Sequence, residues 1–325
     1  MPRTSRTPAA SSRACLRAAS ALVAALALVA SSHAADVASL DCARADALTA
    51  AMLPAARAPH VVMLQGSLGI VTMEPFGRFL AAMGYPERAL VDAHGGAMTT
   101  DSDIAGPTLA GALASMHERD GVRPIVIGHS KGGGVVIQTL RALAGVDGND
   151  LPLVDPRTLA PLPRTSYADP ATGELRRVVD LKLPLAAAIA TGRMPRILRG
   201  QFELARVLRD VPDSAESFVG FFIPFDPIAG TFAGDEDPYR ALGRANVRNV
   251  VLPPQTSHIG VPRTEALAAD PAARAWIERY RPGAGEPPPA LRDAENLAMA
   301  AELWFAIKHA WCSEAQRAAP GRRSG

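Results

Sequence analysis

The sequence runs to 325 residues, 48% of them hydrophobic, with 34 basic side chains against 32 acidic ones and a formal charge of +2. That length accommodates one large domain or two small ones around a sizeable core. The balanced charge, with no basic cluster interleaved with aromatics, argues against nucleic-acid binding.

Residues 1–34 read as an export signal. Arg3, Arg6, Arg13 and Arg17 form a basic leader, residues 18–30 an apolar run, and Ser32-His33-Ala34 the small-residue pattern that a signal peptidase reads. The run is short for a membrane span, and an uncleaved N-terminal anchor is the competing reading. Losing the leader removes four arginines and no acid, leaving 30 basic against 32 acidic side chains, so an exported product stays near neutral. Cys15 goes with the leader. Cys42 and Cys312 remain, and an even pair in an exported chain points to a disulfide between them.

Residues 35–57 have helical composition. From 58 to 149 strands and helices alternate: a strand at 60–64, a turn at Gln65-Gly66-Ser67, a helix over 72–83 stopped by Gly84, and a short strand at 89–91. A helix over 104–116, interrupted by Gly106-Pro107, and a strand at 124–127 follow. Strands separated by whole helices imply an α/β fold, a mostly parallel central sheet with helices on both faces. Residues 150–216 break the rhythm. They are rich in Pro, Arg, Thr and Asp, with one more short strand at 151–154 and a helix opening at Pro195 and running to Arg209. Ile197, Leu198, Phe202, Ala205 and Leu208 share one face of that helix, which predicts an inserted helical cap or lid over an apolar cleft. An ordinary surface helix covering an apolar patch fits the same pattern. The second part of the core spans 217–312, with strands at 218–223 and 247–252, a short helix at 237–242, and helices over 264–280 and 291–311. Residues 313–325 read as a disordered tail.

One stretch carries chemistry. The apolar strand at 124–127 runs straight into Gly128-His129-Ser130-Lys131-Gly132, and a helical pattern follows. Strand, G-x-S-x-G, helix is the order of a nucleophile elbow, a turn that lifts one serine hydroxyl clear of a sheet. Glycine at 128 and 132 permits the close backbone passage, while Gly133 and Gly134 let the helix lie near the strand. A serine hydroxyl needs an imidazole to take its proton and a carboxylate to fix the imidazole tautomer. Of the seven histidines only His258 and His309 follow Ser130, and His258 occupies a loop after a strand, so His258 is the expected base. Asp226, immediately after the strand at 218–223, is the expected acid. Asp155, Asp235, Glu236 and Asp237 are the alternatives, and any of them could instead cap a turn. The backbone N–H groups of Lys131 and Ser67 are the expected oxyanion donors. The sequence contains no H-E-x-x-H, no close Cys/His cluster and no phosphate-binding loop, so no metal and no cofactor are expected.

Residues 60–69, the GHSKGG run at 128–133 and the Asp226-Pro227 and Ser257-His258 loops resemble the α/β-hydrolase superfamily, particularly its exported bacterial lipase/esterase branch. Gln65 stands where a histidine commonly precedes the glycine, and Lys131 where Met or Gln is commoner. The resemblance implies an α/β-hydrolase fold and ester hydrolysis through an acyl-enzyme on Ser130. The substrate would be a small-molecule or lipid ester, with transient contact to a lipid interface through the cap. An acyltransferase or thioesterase would use the same residues, and a non-catalytic binding protein on this scaffold is the reading from another class.

Overall fold

The structure is a computed structural model, and it describes residues 41–44, 53, 57–69, 71–146, 148, 150–231, 237–291 and 294–319. The expected export signal, most of the N-terminal helical segment and the last six residues of the expected tail lie outside the described residues.

Strand β1 (Val61–Leu64) is buried along its whole length. A single 3-10 turn at Ser67–Gly69 leads to helix α1 (Glu74–Ala82), which carries Pro75 in its first turn. Helix α2 (Gly106–Asp120) opens with Pro107 in its first turn and stops at Gly121, φ 73°. Gly106-Pro107 therefore starts this helix and does not interrupt it, since the N–H that proline lacks would have no helical partner there. Strand β2 (Ile125–His129) feeds helix α3 (Lys131–Leu143). A small hairpin of β3 (Ser166–Ala168) and β4 (Leu175–Arg177) precedes strand β5 (Leu183–Ile189). Two short helices, α4 (Met194–Leu198) and α5 (Phe202–Val207), come next. Strands β6 (Asp210–Val211), β7 (Ala215–Phe222), β8 (Arg240–Ala241) and β9 (Asn246–Val251) are followed by helices α6 (Pro271–Arg279) and α7 (Leu297–Ala318).

The central sheet is five-stranded in the order β1-β2-β5-β7-β9, and every pairing in it is parallel. Side chains alternate across it, as a two-residue period requires. Val61, Met63, Ile125, Ile127, Val219 and Phe221 face α1, α6 and α7, whereas Val62, Leu64, Val126 and Phe218 face α2 and α3. Both faces are thus covered, the usual condition of a parallel sheet. Among the described residues no helix is long and apolar enough to cross a membrane.

Several expectations need correction. The segment 150–216 is no simple cap insertion, because β5 lies at the centre of the sheet between β2 and β7. Its LPLAAAI sequence hid it. Pro184 and a run of alanines lack the β-branched signature of a strand, yet Pro184 falls near the strand start, where a missing donor is tolerated. No helix runs unbroken from Pro195 to Arg209. Gly200, φ 71°, separates α4 from α5, and of the expected apolar face Leu198 and Phe202 are 79% and 64% exposed. Residues 89–91 form a 3-10 turn and its exit, and the partner beyond β1 is Thr100, bridged to Leu64. Residues 151–154 do not enter the sheet; Val154 bridges Pro161 instead. The expected helix at 237–242 is extended, with β8 paired to β6. Finally, α7 continues through Ala318, so residues 313–318 belong to a helix and not to a disordered tail.

Two features tie the ends to this frame. Cys42 and Cys312 form the expected disulfide, with Cα atoms 5.5 Å apart and a sequence separation of 270. Glu314, fully buried on α7, receives hydrogen bonds from Arg123 Nε at 2.9 Å and from Arg317 Nη2 at 2.8 Å. Burial alone would raise its pKa, but the two guanidinium groups outweigh that and hold the carboxyl below its ordinary range.

Candidate active site

The elbow forms where the pattern places it. Ser130 connects β2 to α3 with φ 52° and ψ −112°, a conformation non-glycine residues avoid, so the chain holds local strain at this one hydroxyl. Both flanking glycines are sterically required. A Cβ on Gly128 would sit 2.4 Å from the Gly132 carbonyl, and one on Gly132 would sit 2.5 Å from the carbonyl oxygen of Leu64. Gly133 and Gly134 leave room for Thr191 and for the Arg196 guanidinium, respectively.

The three residues expected to act together do meet. His258 Nδ1–H donates to Asp226 Oδ2 at 2.5 Å, and His258 Nε2 lies 3.0 Å from Ser130 Oγ, positioned to accept its proton. The carboxylate fixes the tautomer: with the hydrogen on Nδ1, the Nε2 lone pair faces the hydroxyl. Asp226 is itself held. Its Oδ1 accepts the N–H groups of Ile228 and Ala229 at 3.1 and 3.0 Å, and its backbone pairs with Thr231. Asp226 is 1% and His258 8% exposed, so the pair works largely away from water, where such bonds are strongest. The side chains reach this point from the carboxyl ends of β2, β7 and β9.

The alternatives for the acid fall away from the histidine. Asp237 pairs with Arg193 at 3.0 Å and with Arg209 at 3.6 Å. Asp155 closes a turn with Leu159 and Ala160, and residues 235 and 236 lie outside the described residues. His309 is half-buried on α7, facing Phe305 and Arg248 in a separate cleft; burial lowers its pKa.

The two expected oxyanion donors are near neighbours through the backbone. Gly132 packs against the carbonyls of Leu64 and Gln65, which brings the elbow against the turn that carries Ser67. In that turn Gln65 N–H is bound to Thr100 and Gly66 N–H to Val71, whereas neither Ser67 N–H nor Lys131 N–H enters a turn or loop hydrogen bond among the described residues. The Lys131 side chain pairs with Asp103. Gln65 and Asp103 border a cavity of about 550 Å³ whose walls include Val62, Ile104, Leu109 and Met116.

Two residues at the site were not singled out by the sequence. Arg196, 5% exposed, donates from Nη2 to the Lys131 carbonyl at 3.0 Å, and burial lowers its pKa. Of the elbow glycines Gly134 alone leaves room for its guanidinium, and a glycine there reads equally as close packing of helix on strand. His129 is fully buried and its ring lies 4.9 Å from that of His258. Its place inside the elbow was visible, but its partner 129 residues away was not.

Around the mouth of the site apolar side chains face solvent. Phe225 and Ile228 flank Asp226, Ile259 follows His258, and all three are exposed. Met194, also exposed, packs against Gly230 and joins α4 to the same rim. Comparison of the chain with protein-family models, with curated proteins and with solved structures returned no match.

Proposed function

We propose that this chain is a serine hydrolase of carboxylic esters built on an α/β-hydrolase fold. The observation that carries the reading is the continuous relay from Ser130 Oγ through His258 to Asp226, at 3.0 and 2.5 Å. The order Ser, Asp, His along the chain and the strained turn at Ser130 support it.

In this reading Ser130 Oγ attacks the ester carbonyl carbon while its proton passes to His258 Nε2. Asp226 stabilises the imidazolium and keeps its ring in register. The tetrahedral oxyanion faces the N–H groups of Lys131 and Ser67. The intermediate collapses, the alkoxide leaves with the proton from His258, and an acyl group stays on Ser130. Water, deprotonated by the same imidazole, then releases the acid and restores the hydroxyl.

The apolar rim of Phe225, Ile228, Ile259 and Met194 favours substrates with an apolar acyl or alcohol part and brief contact with a lipid surface. The cavity beside Gln65 is a candidate for one of those parts. Export to the periplasm or beyond belongs to the same reading, supported by the leader pattern and by the Cys42–Cys312 disulfide.

Ser130→Ala should lower kcat on short p-nitrophenyl esters by about 10⁶-fold, as loss of a triad nucleophile does elsewhere. It should also abolish labelling by a fluorophosphonate probe. Wild-type turnover in the purified variant would end the proposal.

A further inference from the structure

We infer that His129 is a positioning residue for the catalytic base. This inference rests on the hydrolase reading of Ser130 and His258, and it assigns to a second histidine the task of holding the first. The contact is direct: His129 Nε2 lies 2.9 Å from the backbone carbonyl oxygen of His258. A carbonyl can only accept, so Nε2 carries the hydrogen and donates it. That choice leaves Nδ1 as a bare lone pair, and Nδ1 has no hydrogen-bond partner among the described residues. Gly66, in the turn that presents Ser67, lies against that side of the ring; a Cβ there would come within 3.0 Å of Nδ1.

One side chain thus touches three loops. It belongs to the residue before Ser130, it packs on the oxyanion turn, and it bonds the backbone of the base. Among the described residues no other hydrogen bond reaches the His258 carbonyl, although Asn296 holds the loop further on, at the Val261 and Arg263 carbonyls. Gly260 and Val261 are tied back to the Ser257 carbonyl within their own loop, whereas the His258 carbonyl reaches β2 through His129. Asp226 fixes the rotation of the His258 ring; His129 fixes where the backbone beneath that ring sits. Displacing a reacting group by about 1 Å can cost about 10²-fold in rate. Burial also pushes the pKa of His129 down to about 3, so no second cation forms beside the imidazolium that appears in turnover.

The test compares two substitutions in the full chain. His129→Met fills similar space without a donor, and His129→Gln carries an N–H at comparable reach. The Met variant should lose about 10²-fold in kcat on p-nitrophenyl esters with KM within twofold of wild type, and the Gln variant should recover most of the loss. Unchanged kcat in the Met variant overturns the inference. So does an equal loss in both variants while their circular dichroism stays native, because that pattern reports packing and not the bond. If the Met variant does not fold, nitrogen-15 NMR of wild-type protein decides: a neutral Nε2–H tautomer at pH 6 supports the inference, and an Nδ1–H tautomer or an imidazolium overturns it. Failure of the hydrolase reading looks different. Wild type would then show no ester turnover and no fluorophosphonate label, while the NMR tautomer would be unaffected.

Discussion

Acid is the perturbation that His129 should feel most directly. Its pKa falls from 6.5 to about 3, first because burial penalises the imidazolium and then because His258 lies beside it, opposed by the His258 carbonyl and by Asp226. Above pH 6.5 neither the folded nor the unfolded chain protonates this ring, and the stability it permits is fully present. Below pH 6.5 the unfolded chain binds a proton that the folded chain refuses until about pH 3. Folding stability therefore falls as pH falls through that window, by about 1.4 kcal/mol per unit. Because the unfolded ring is already half protonated at pH 6.5, the two units from pH 6.5 to 4.5 cost about 2 kcal/mol through this side chain, a sizeable share of the roughly 5–15 kcal/mol that holds a typical domain. His60, His117 and His309 are shifted downward too, chiefly by burial, and add to the wild-type slope. Urea unfolding of wild type and His129→Gln at both pH values isolates the single contribution. Wild type should lose about 2 kcal/mol more than the variant over that interval. Parallel losses would mean that His129 takes up its proton in the folded state, and the buried neutral ring would be refuted.

Asp226→Asn keeps an oxygen for the Ile228 and Ala229 N–H groups but no longer fixes the His258 tautomer, so kcat should fall by about 10⁴-fold with the fold intact. A fall below tenfold in ester assays would assign the acid elsewhere. Cys312→Ser opens a closure spanning 270 residues, and on a chain-entropy account it should lower unfolding free energy by about 5 kcal/mol. Urea denaturation measures this, and a change under 1 kcal/mol would show that the denatured chain is not restrained by the link.

The site was more legible in the sequence than the sheet that carries it. An elbow needs small residues two positions either side of its nucleophile, and Gly128 and Gly132 display that requirement locally. The order Ser130, Asp226, His258, each after an apolar run, follows from the same local logic. Strand β5 was illegible for a tertiary reason. Its alanines have little strand preference of their own, but small side chains on both faces let helices approach closely: a Cβ on Gly133 of α3 would stand 3.2 Å from the Cβ of Ala188. The helix expected to run from Pro195 to Arg209 failed at Gly200, whose positive φ turns the chain between α4 and α5. Periodicity could not reveal that break, since the apolar spacing carries across it. His129 escaped notice because its meaning depends on a carbonyl brought in from β9's far end, a relation no local pattern encodes.

The Cys42–Cys312 bond has one more consequence, a topological one. Strands β1 to β9 all lie on the segment between the two cysteines, so the sheet and the relay are enclosed in one covalent ring. A single protease cut in any loop of that ring opens it without yielding two separable pieces. A nicked molecule remains whole, its halves joined by sulfur, until a reductant is present as well.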